Sequence, residues 1–164
     1  MIQNFDVQLQ VVLRALEEVV APALGSGEKH VVEQLMLSIA TIGFVKTRLP
    51  EARRFYRMEL KNCIELAEET ARITNTSGTL AEAIKLAQSA LADPEADIAE
   101  FEIASRRLRD LVTELSHSSV GQPYQAQLDA VILEKSGALI SQYRLWCAPF
   151  GFELQLDNLP KPAW

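Results

Sequence analysis

The chain has 164 residues, a formal net charge of −6 and a hydrophobic share of 48%, the ordinary composition of one globular domain. Because an acidic chain repels phosphate backbones, this charge disfavours nucleic-acid binding as the main function. No apolar run reaches the ~18–20 residues of a membrane span, and the first residues, MIQNFDVQLQ, lack the pattern of a secretory signal. We therefore expect a soluble, cytoplasmic protein that binds neither nucleic acid nor membrane.

The first half of the chain contains three amphipathic segments. The first begins at about Asn4, a side chain suited to capping a helix, and Pro22 is expected to end or kink the helix at Ala21. The second, at about residues 28–48, is apolar on most of its sides, which is typical of a central helix. The third covers residues 50–74 and ends in the polar sequence TNTSG.

Three further helical segments are predicted in the second half of the chain. A short one covers residues 80–92, and the spacing of Thr79 and Glu82 predicts a capping box at its start. The next begins at Asp93, whose side chain is expected to cap it, and the last covers residues 124–146. Because the loops are short, neighbouring helices are expected to be antiparallel. The sequence therefore predicts an all-α fold, an antiparallel bundle of five or six helices with an extended C-terminal tail.

The bundle domain is expected to span residues 1–149, and residues 150–164 form a tail of different composition. Apolar and polar side chains alternate in the tail, and two prolines forbid a helix, which indicates an extended segment. A disordered tail normally lacks large apolar side chains, because it cannot bury enough of them to offset its ordering entropy. We therefore predict that the tail is ordered and packs on helices of its own chain or of a partner subunit. Its large apolar residues are Phe150, Phe152, Leu154, Leu156, Leu159 and Trp164.

A basic cluster lies at the start of the third segment. Arg53, Arg57 and Lys61 are four residues apart and share one helix face, with Arg54 beside them. Guanidinium groups bind carboxylates and phosphates well, so the cluster is a candidate site for an anion or an acidic protein partner. The alternative is an ordinary solvated face, neutralised by nearby glutamates. These glutamates are Glu51, Glu59 and Glu65, and a second basic group farther along the chain consists of Arg106, Arg107 and Arg109.

The two histidines of the chain raise the question of a metal site. Glu114 and His117 have the ExxH spacing that di-metal helical bundles use, and His30 is a candidate third ligand. Such bundles need two ExxH pairs and two further glutamates, and the sequence has no second ExxH pair. His117 is also expected near a helix end, where the helix dipole alone favours histidine. A metal site and ordinary surface or capping histidines both stay open.

No set of residues in the sequence predicts catalysis. The two cysteines, Cys63 and Cys147, form no CxxC motif, and we interpret them as free, buried thiols of a reducing compartment. Cys63 lies on an apolar helix face, where a thiol has a raised pKa and is inert. The GxSxG, P-loop and GxGxxG motifs are absent from the sequence. We therefore expect no catalytic residue and no cofactor.

Three stretches of the first half resemble a known family. They are LEEVVAPAL from Leu16, EKH at residues 28–30 and VVEQLMLSIATIGFVKTRLPEA from Val31. Together, over residues 13–53, they resemble small all-helical bacterial proteins of unknown function that are encoded beside acyl-CoA dehydrogenases and aminoglycoside-phosphotransferase-like kinases. The resemblance implies an accessory role near acyl-thioester metabolism. It implies no catalytic residue, and the asparagine-rich signature of that family is not clear in this chain.

Three functions are consistent with these observations. The first is a non-catalytic accessory or protein-interaction protein that forms a homodimer or binds an acidic partner. The second is a bundle that binds a metal or a small ligand, using Glu114 and His117 with His30. The third is an enzyme that acts on an acyl or phosphorylated substrate held by the arginines. The sequence favours the first, because it contains no recognisable catalytic set.

Overall fold

The computed structural model describes residues 4–25, 27–151, 153 and 155–164, and every regular element in this part of the chain is helical. This confirms the predicted all-α fold. None of these helices combines the length and the apolar composition that crossing a lipid bilayer requires. The helices are α1 (Phe5–Arg14), a π-helical stretch (Ala15–Val20), α2 (Ala21–Leu24), α3 (Lys29–Arg48), α4 (Ala52–Thr74), α5 (Thr79–Ala92), α6 (Ile98–Ser118) and α7 (Gln125–Cys147).

The chain divides into two compact units. Unit 1 consists of the residues up to Pro50 together with Arg144–Asn158. Unit 2 consists of Glu51–Tyr143 and Leu159–Trp164. The predicted division into a bundle domain and a tail after residue 149 stays a prediction.

Unit 1 is built on an antiparallel pair of helices, α1 and α3. Asn4 caps α1 as predicted, since its side chain accepts a hydrogen bond from the Asp6 amide at 3.0 Å. Lys46, near the end of α3, lies 3.2 Å from the carboxylate of Asp6, so the two helices run in opposite directions. On α3, Phe44 also stacks on Phe150, with ring centroids 4.4 Å apart. Helix α3 therefore has partners both in α1 and in the segment after α7. The prediction that it is a central helix is wrong, because α3 has no buried residue and Met36 and Leu37 are among its exposed side chains.

The first helical run extends beyond its predicted end. It continues past Ala21 to Leu24, and the residues directly before Pro22 are π-helical, from Ala15 to Val20. Because proline has no amide hydrogen, it cannot bond to the carbonyl four residues earlier, and a wider turn accommodates it without breaking the helix. Gly25 ends the run with a φ of 54°, a conformation that glycine adopts readily.

Unit 2 contains the hydrophobic core of the molecule. Helices α4, α5 and α6 pack on one another, and Ile132 of α7 packs against the same core. Their apolar faces follow the 3–4 spacing that the sequence shows, so burial on these helices is largely as predicted. Ala71, near the end of α4, is half-buried. The most completely buried apolar side chains of the core are Leu60, Ala67, Ala87, Phe101 and Leu108.

The predicted capping box at the start of α5 is wrong. Gly78 is the N-cap, and no side chain caps the helix. Thr79 is therefore already the first helical residue, one position too late for its hydroxyl to cap. The chain enters the helix through a φ of 95° at Gly78, a conformation that favours glycine. The amide of Glu82 donates to the Gly78 carbonyl at 2.9 Å.

Helix α6 begins later than predicted. Asp93 does not cap it but ends α5, and its carboxylate accepts from the Glu95 amide at 2.8 Å to close a local turn. The cap is Asp97, which accepts from the Glu100 amide at 3.0 Å, while the Glu100 side chain accepts from the Asp97 amide at 2.8 Å. This reciprocal pair is a capping box, and its Asp-x-x-Glu spacing was present in the sequence.

The last six residues pack on unit 2. The Trp164 ring lies edge-on to Phe55, with centroids 5.4 Å apart, and its indole nitrogen donates to Glu51 at 3.1 Å. Gln142 of α7 binds the backbone on both sides of Pro162, at 3.0 and 3.3 Å. These contacts hold this part of the tail against α4 and α7, while packing on a partner subunit stays an open alternative.

The earlier part of the tail belongs to unit 1. The Arg144 guanidinium donates to both carboxylate oxygens of Glu153, at 2.8 and 2.9 Å. Leu156–Asn158 form a 3-10 turn, so the prediction of an extended conformation is wrong there. Phe152 and Leu154, on which that prediction also rested, lie outside the described residues.

We expect the substitution Trp164→Ala to lower the free energy of unfolding by about 2 kcal/mol, less than the ~3–5 kcal/mol of a fully buried tryptophan because this ring stays partly exposed. Urea denaturation followed by circular dichroism measures the change. Lys161→Ala, at an exposed position of the same segment, is the control and should stay within about 0.5 kcal/mol of the wild type. Equal stability of Trp164→Ala and wild type would show that the tail packing contributes nothing.

Candidate functional site

A cluster of polar side chains lies inside unit 2, where α4, α6 and α7 meet. Glu59 of α4 is 4% exposed, and its Oε1 atom accepts from Arg109 Nη1 of α6 at 2.5 Å. The Tyr143 hydroxyl of α7 donates to the same oxygen, and Arg109 Nη1 also lies 3.3 Å from that hydroxyl. A buried carboxylate is costly unless it is both paired and hydrogen-bonded, so the three side chains depend on one another. We call Glu59, Arg109 and Tyr143 the Glu59 cluster.

The Glu59 cluster fixes the charge of two of its members. Burial, helped by the hydrogen bond to Glu59, raises the pKa of Tyr143 far above its usual range. Burial alone would lower the pKa of Arg109, but the hydrogen bond to Glu59, together with the charges of Cys63, Glu59 and Tyr143, raises this pKa. At neutral pH the cluster therefore holds a protonated phenol and a charged guanidinium.

The two thiols have opposite surroundings. The burial predicted for Cys63 is confirmed, since its side chain is 3% exposed, and burial raises the pKa of this thiol to about 11 despite the nearby Arg109 charge. Because the thiolate is the reactive form, Cys63 is inert at neutral pH. The prediction that Cys147 is also buried is wrong, because it is exposed at the last position of α7.

An open pocket of about 240 Å³ adjoins the Glu59 cluster. Arg109 and Tyr143 form part of its wall, together with Lys135 of α7, whose Nζ lies 3.4 Å from a carboxylate oxygen of Glu65. The rest of the wall is mainly apolar side chains of α4, α6 and α7. Among them are Leu66, Val112, Ile132 and Leu139.

One member of the predicted basic cluster on α4, Arg53, contacts other parts of unit 2. Its guanidinium donates to the carbonyl oxygens of Pro94 and Ala96, at 2.6 and 3.0 Å, and lies 5.7 Å from the centre of the Phe101 ring. These contacts fasten the loop between α5 and α6 to α4. Arg53 is therefore engaged within unit 2.

The other three basic residues of the cluster are exposed. Within the described part of the chain, Arg54, Arg57 and Lys61 make no hydrogen bond and no ion pair. The solvated-face interpretation paired them with three glutamates, and that pairing is wrong, because these glutamates bond to other side chains. They are Glu51, Glu59 and Glu65. An anion or partner site on the exposed residues stays a prediction.

The predicted metal ligands are all exposed. Glu114 and His117 lie on the last turns of α6 in unit 2, and Glu114 borders a shallow polar depression. His30 lies near the start of α3 in unit 1, with its Nε2 atom 3.3 Å from Glu28. In the part of the chain that the structure describes, no three His, Cys, Asp or Glu side chains converge where a metal ion could bind.

Sequence reasoning missed the Glu59 cluster, although one signal for it was available. Glu59 lies four residues after Phe55 and four before Cys63, so it occupies the buried face of α4. A carboxylate on an apolar face calls for a cationic or hydroxyl partner. The identity of that partner is set by packing between α4, α6 and α7, and no local pattern near Arg109 or Tyr143 reveals it.

No family model, curated protein or solved structure matches this chain. The resemblance of residues 13–53 to small bacterial helical proteins stays a prediction, as does the accessory role that it implies. The function proposed below therefore rests on the contacts, exposure and charge of this chain.

The contrast between the two thiols predicts a simple labelling result. An aromatic disulfide reagent added to the folded protein at mildly alkaline pH should modify one thiol per chain quickly, and the second only after denaturant is added. The substitution Cys147→Ser should remove the fast reaction, and Cys63→Ser should leave it. Two fast thiols in the folded wild type would contradict the burial of Cys63.

Tyr143→Phe removes the hydroxyl that donates to Glu59 and keeps the ring. Because the pKa of Tyr143 is raised in the folded state, the folded protein binds the Tyr143 proton more tightly than the unfolded chain does. This stabilisation is complete below about pH 10, where unfolded tyrosine is protonated, and is lost as the pH rises through the folded-state pKa. We expect the free energy of unfolding to fall less steeply above about pH 10 in Tyr143→Phe than in wild type.

Urea titrations at a series of alkaline pH values measure this difference. Tyr124→Phe is the matched control, because Tyr124 precedes α7 and takes no part in the Glu59 cluster. In Tyr124→Phe the free energy of unfolding should decrease with pH as steeply as in the wild type. If the free energy of unfolding decreased equally with pH in wild type and in Tyr143→Phe, the proposed linkage would be refuted.

Proposed function

We propose that this protein is a non-catalytic interaction protein that works as a homodimer joined through unit 1. The supporting observation is the exposure of apolar side chains there: of the seventeen exposed large apolar residues in the described part of the chain, eleven lie between Phe5 and Leu49. In α1, α2 and α3, Leu13 alone is buried among the described residues. Helices with so little core of their own gain stability by covering that surface with another protein.

The exposed surface of α1 has the spacing of a helix that pairs with another helix. Phe5, Leu9 and Val12 of α1, with Leu16 at the start of the π-helical stretch, recur at steps of four, three and four residues, which is the a/d repeat of a coiled coil. Phe5 is 75% exposed and Val12 is 44% exposed, while Leu9 and Leu16 are half-buried. Leu9 and Leu16 are therefore partly covered by their own chain, whereas Phe5 and Val12 stay exposed for contact with a partner.

The charges around this seam favour a second copy of the chain as the partner. The side chains at its flanks, Gln8, Leu13 and Ala15, are uncharged, and the one charged flank, Asp6, is paired with Lys46. Two copies of an acidic protein can therefore meet here without opposing like charges across the contact. An acidic partner would instead be attracted to the exposed cations of α4, which lie in unit 2.

The charge states of Tyr143 and Arg109 in the Glu59 cluster, and of Cys63 beside the pocket, support a non-catalytic function. A general acid or base works best when its pKa lies near the operating pH. The pKa shifts of Tyr143 and Cys63 move both groups upward, away from neutrality, and the pKa of Arg109 is raised as well. These groups are held in fixed protonation states, which suits structure or binding better than proton transfer.

A charge placed on the seam tests the dimer. We expect the wild type to sediment as a dimer at micromolar concentration and Val12→Glu to weaken the dimer at least about tenfold, because the carboxylate would be buried without a partner. Val7→Glu is the matched control: Val7 is 57% exposed on the same helix but lies on the opposite side from Phe5 and Val12.

Sedimentation velocity over a range of concentrations, with circular dichroism to check the helix content, distinguishes the outcomes. The control should remain dimeric and fully helical. A monomeric wild type, or a Val12→Glu variant that dimerises as well as Val7→Glu does, would overturn the proposal.

A further inference from the structure

Helix α7 is linked to α4 at two levels, and a slot lies between them. Lys135 reaches Glu65, and two turns later Tyr143 reaches Glu59. As the pairs advance along α7 they go back along α4, so these two helices are antiparallel. Between the two links the side chains leave the pocket of about 240 Å³ described above, with α6 as its third wall.

The slot is built to hold an apolar body. Its walls between the two links are mainly aliphatic side chains, including Val112 of α6 and Leu139 of α7. Water in such surroundings finds few hydrogen-bond partners, and an apolar cavity of ~150 Å³ already accommodates a benzene ring. Ile140, on the edge of the slot, is 56% exposed, so the slot opens to solvent and a ligand can enter.

Two cations border this apolar slot with donors to spare. Arg109 uses only Nη1 in its bonds to Glu59 and Tyr143, which leaves its Nε and Nη2 groups without a partner among the described residues. Lys135 contacts Glu65 through one ammonium donor of three, at 3.4 Å. Both side chains are partly exposed, at 40% and 32%. A carboxylate at either end of the slot can therefore accept charge-assisted hydrogen bonds from the cation there.

The geometry points to a binding site in this slot for a small monocarboxylate with an apolar body, the size of one aromatic ring or a medium-length alkyl chain. The apolar part lies against the aliphatic side chains of α6 and α7. The carboxylate lies against Lys135 at one end of the slot, and the apolar chain extends toward Arg109 and Tyr143 at the other end. This site is separate from the dimer surface of α1 and uses none of its residues.

Octanoate is a suitable probe, because it combines a carboxylate with a medium-length chain. Titration followed by NMR of backbone amides should show saturable shifts of residues in α4, α6 and α7, with a dissociation constant below about 1 mM. Acetate has the charge without the chain, and octanol has the chain without the charge. Each should bind at least about tenfold more weakly, since each loses one of the two contacts.

Ser136→Phe fills the slot from α7 without removing a charge, and it should abolish the octanoate shifts. Lys135→Met should weaken octanoate at least about fivefold and leave octanol unchanged. Arg106→Met is the control, because Arg106 is an exposed cation of α6 outside the slot. It should bind octanoate like the wild type.

Three outcomes would overturn the site. The first is the absence of saturable octanoate shifts in α4, α6 and α7 of the wild type. The second is unchanged octanoate binding by a folded Ser136→Phe variant, which would place the ligand elsewhere, for example on the apolar surface of α1. The third is equal affinity for octanol and octanoate, which would remove the carboxylate from recognition.

Discussion

The carboxylate of Glu59 lies inside unit 2, and the positions of α6 and α7 follow from the need to satisfy it. Arg109 supplies the opposite charge from α6, and Tyr143 supplies a hydroxyl from α7. Removing either donor would leave a buried anion short of partners, which costs several kcal/mol. The apolar core alone would tolerate some sliding between helices, whereas three converging polar atoms define one register.

The two units satisfy their apolar side chains in different ways. In unit 2, faces of α4, α5 and α6 with helical spacing bury one another almost completely, from Leu60 to Leu108. In unit 1, α1 and α3 contact each other but leave most of their valines and leucines in water. The proposed dimer depends on this difference, because it would cover apolar surface that unit 1 leaves exposed.

Much of the fold could be predicted from the sequence, because apolar periodicity determines which side of a helix is buried. The helices, the burial of Cys63 and the cap at Asn4 all follow from local patterns. The first residues of helices were harder to predict. The N-caps of α5 and α6 are Gly78 and Asp97 rather than the predicted Thr79 and Asp93, because turn geometry decides between neighbouring candidates.

The candidate site was much less predictable. Arg109 is fifty residues from Glu59 in sequence, and Tyr143 is eighty-four residues away, so only tertiary packing brings them together. The basic residues of α4 illustrate the same limit. Arg53 looks equivalent to Arg57 in the sequence, yet it alone is held by the loop before α6. Local spacing defines a helix face, but the neighbours of that face depend on the whole fold.

The π-helical stretch from Ala15 to Val20 changes the angular phase of the first helical run. A π turn takes about one residue more than an α turn, so side chains after it lag behind those of α1. Val19 continues the 3–4 spacing along the sequence, but it is rotated out of line with Phe5 and Val12. Pro22 maintains this slip, because regular α turns would require the amide hydrogen that it lacks. Pro22 thus limits the length over which a second helix can pair with α1, because the apolar surface changes direction at the π-helical stretch.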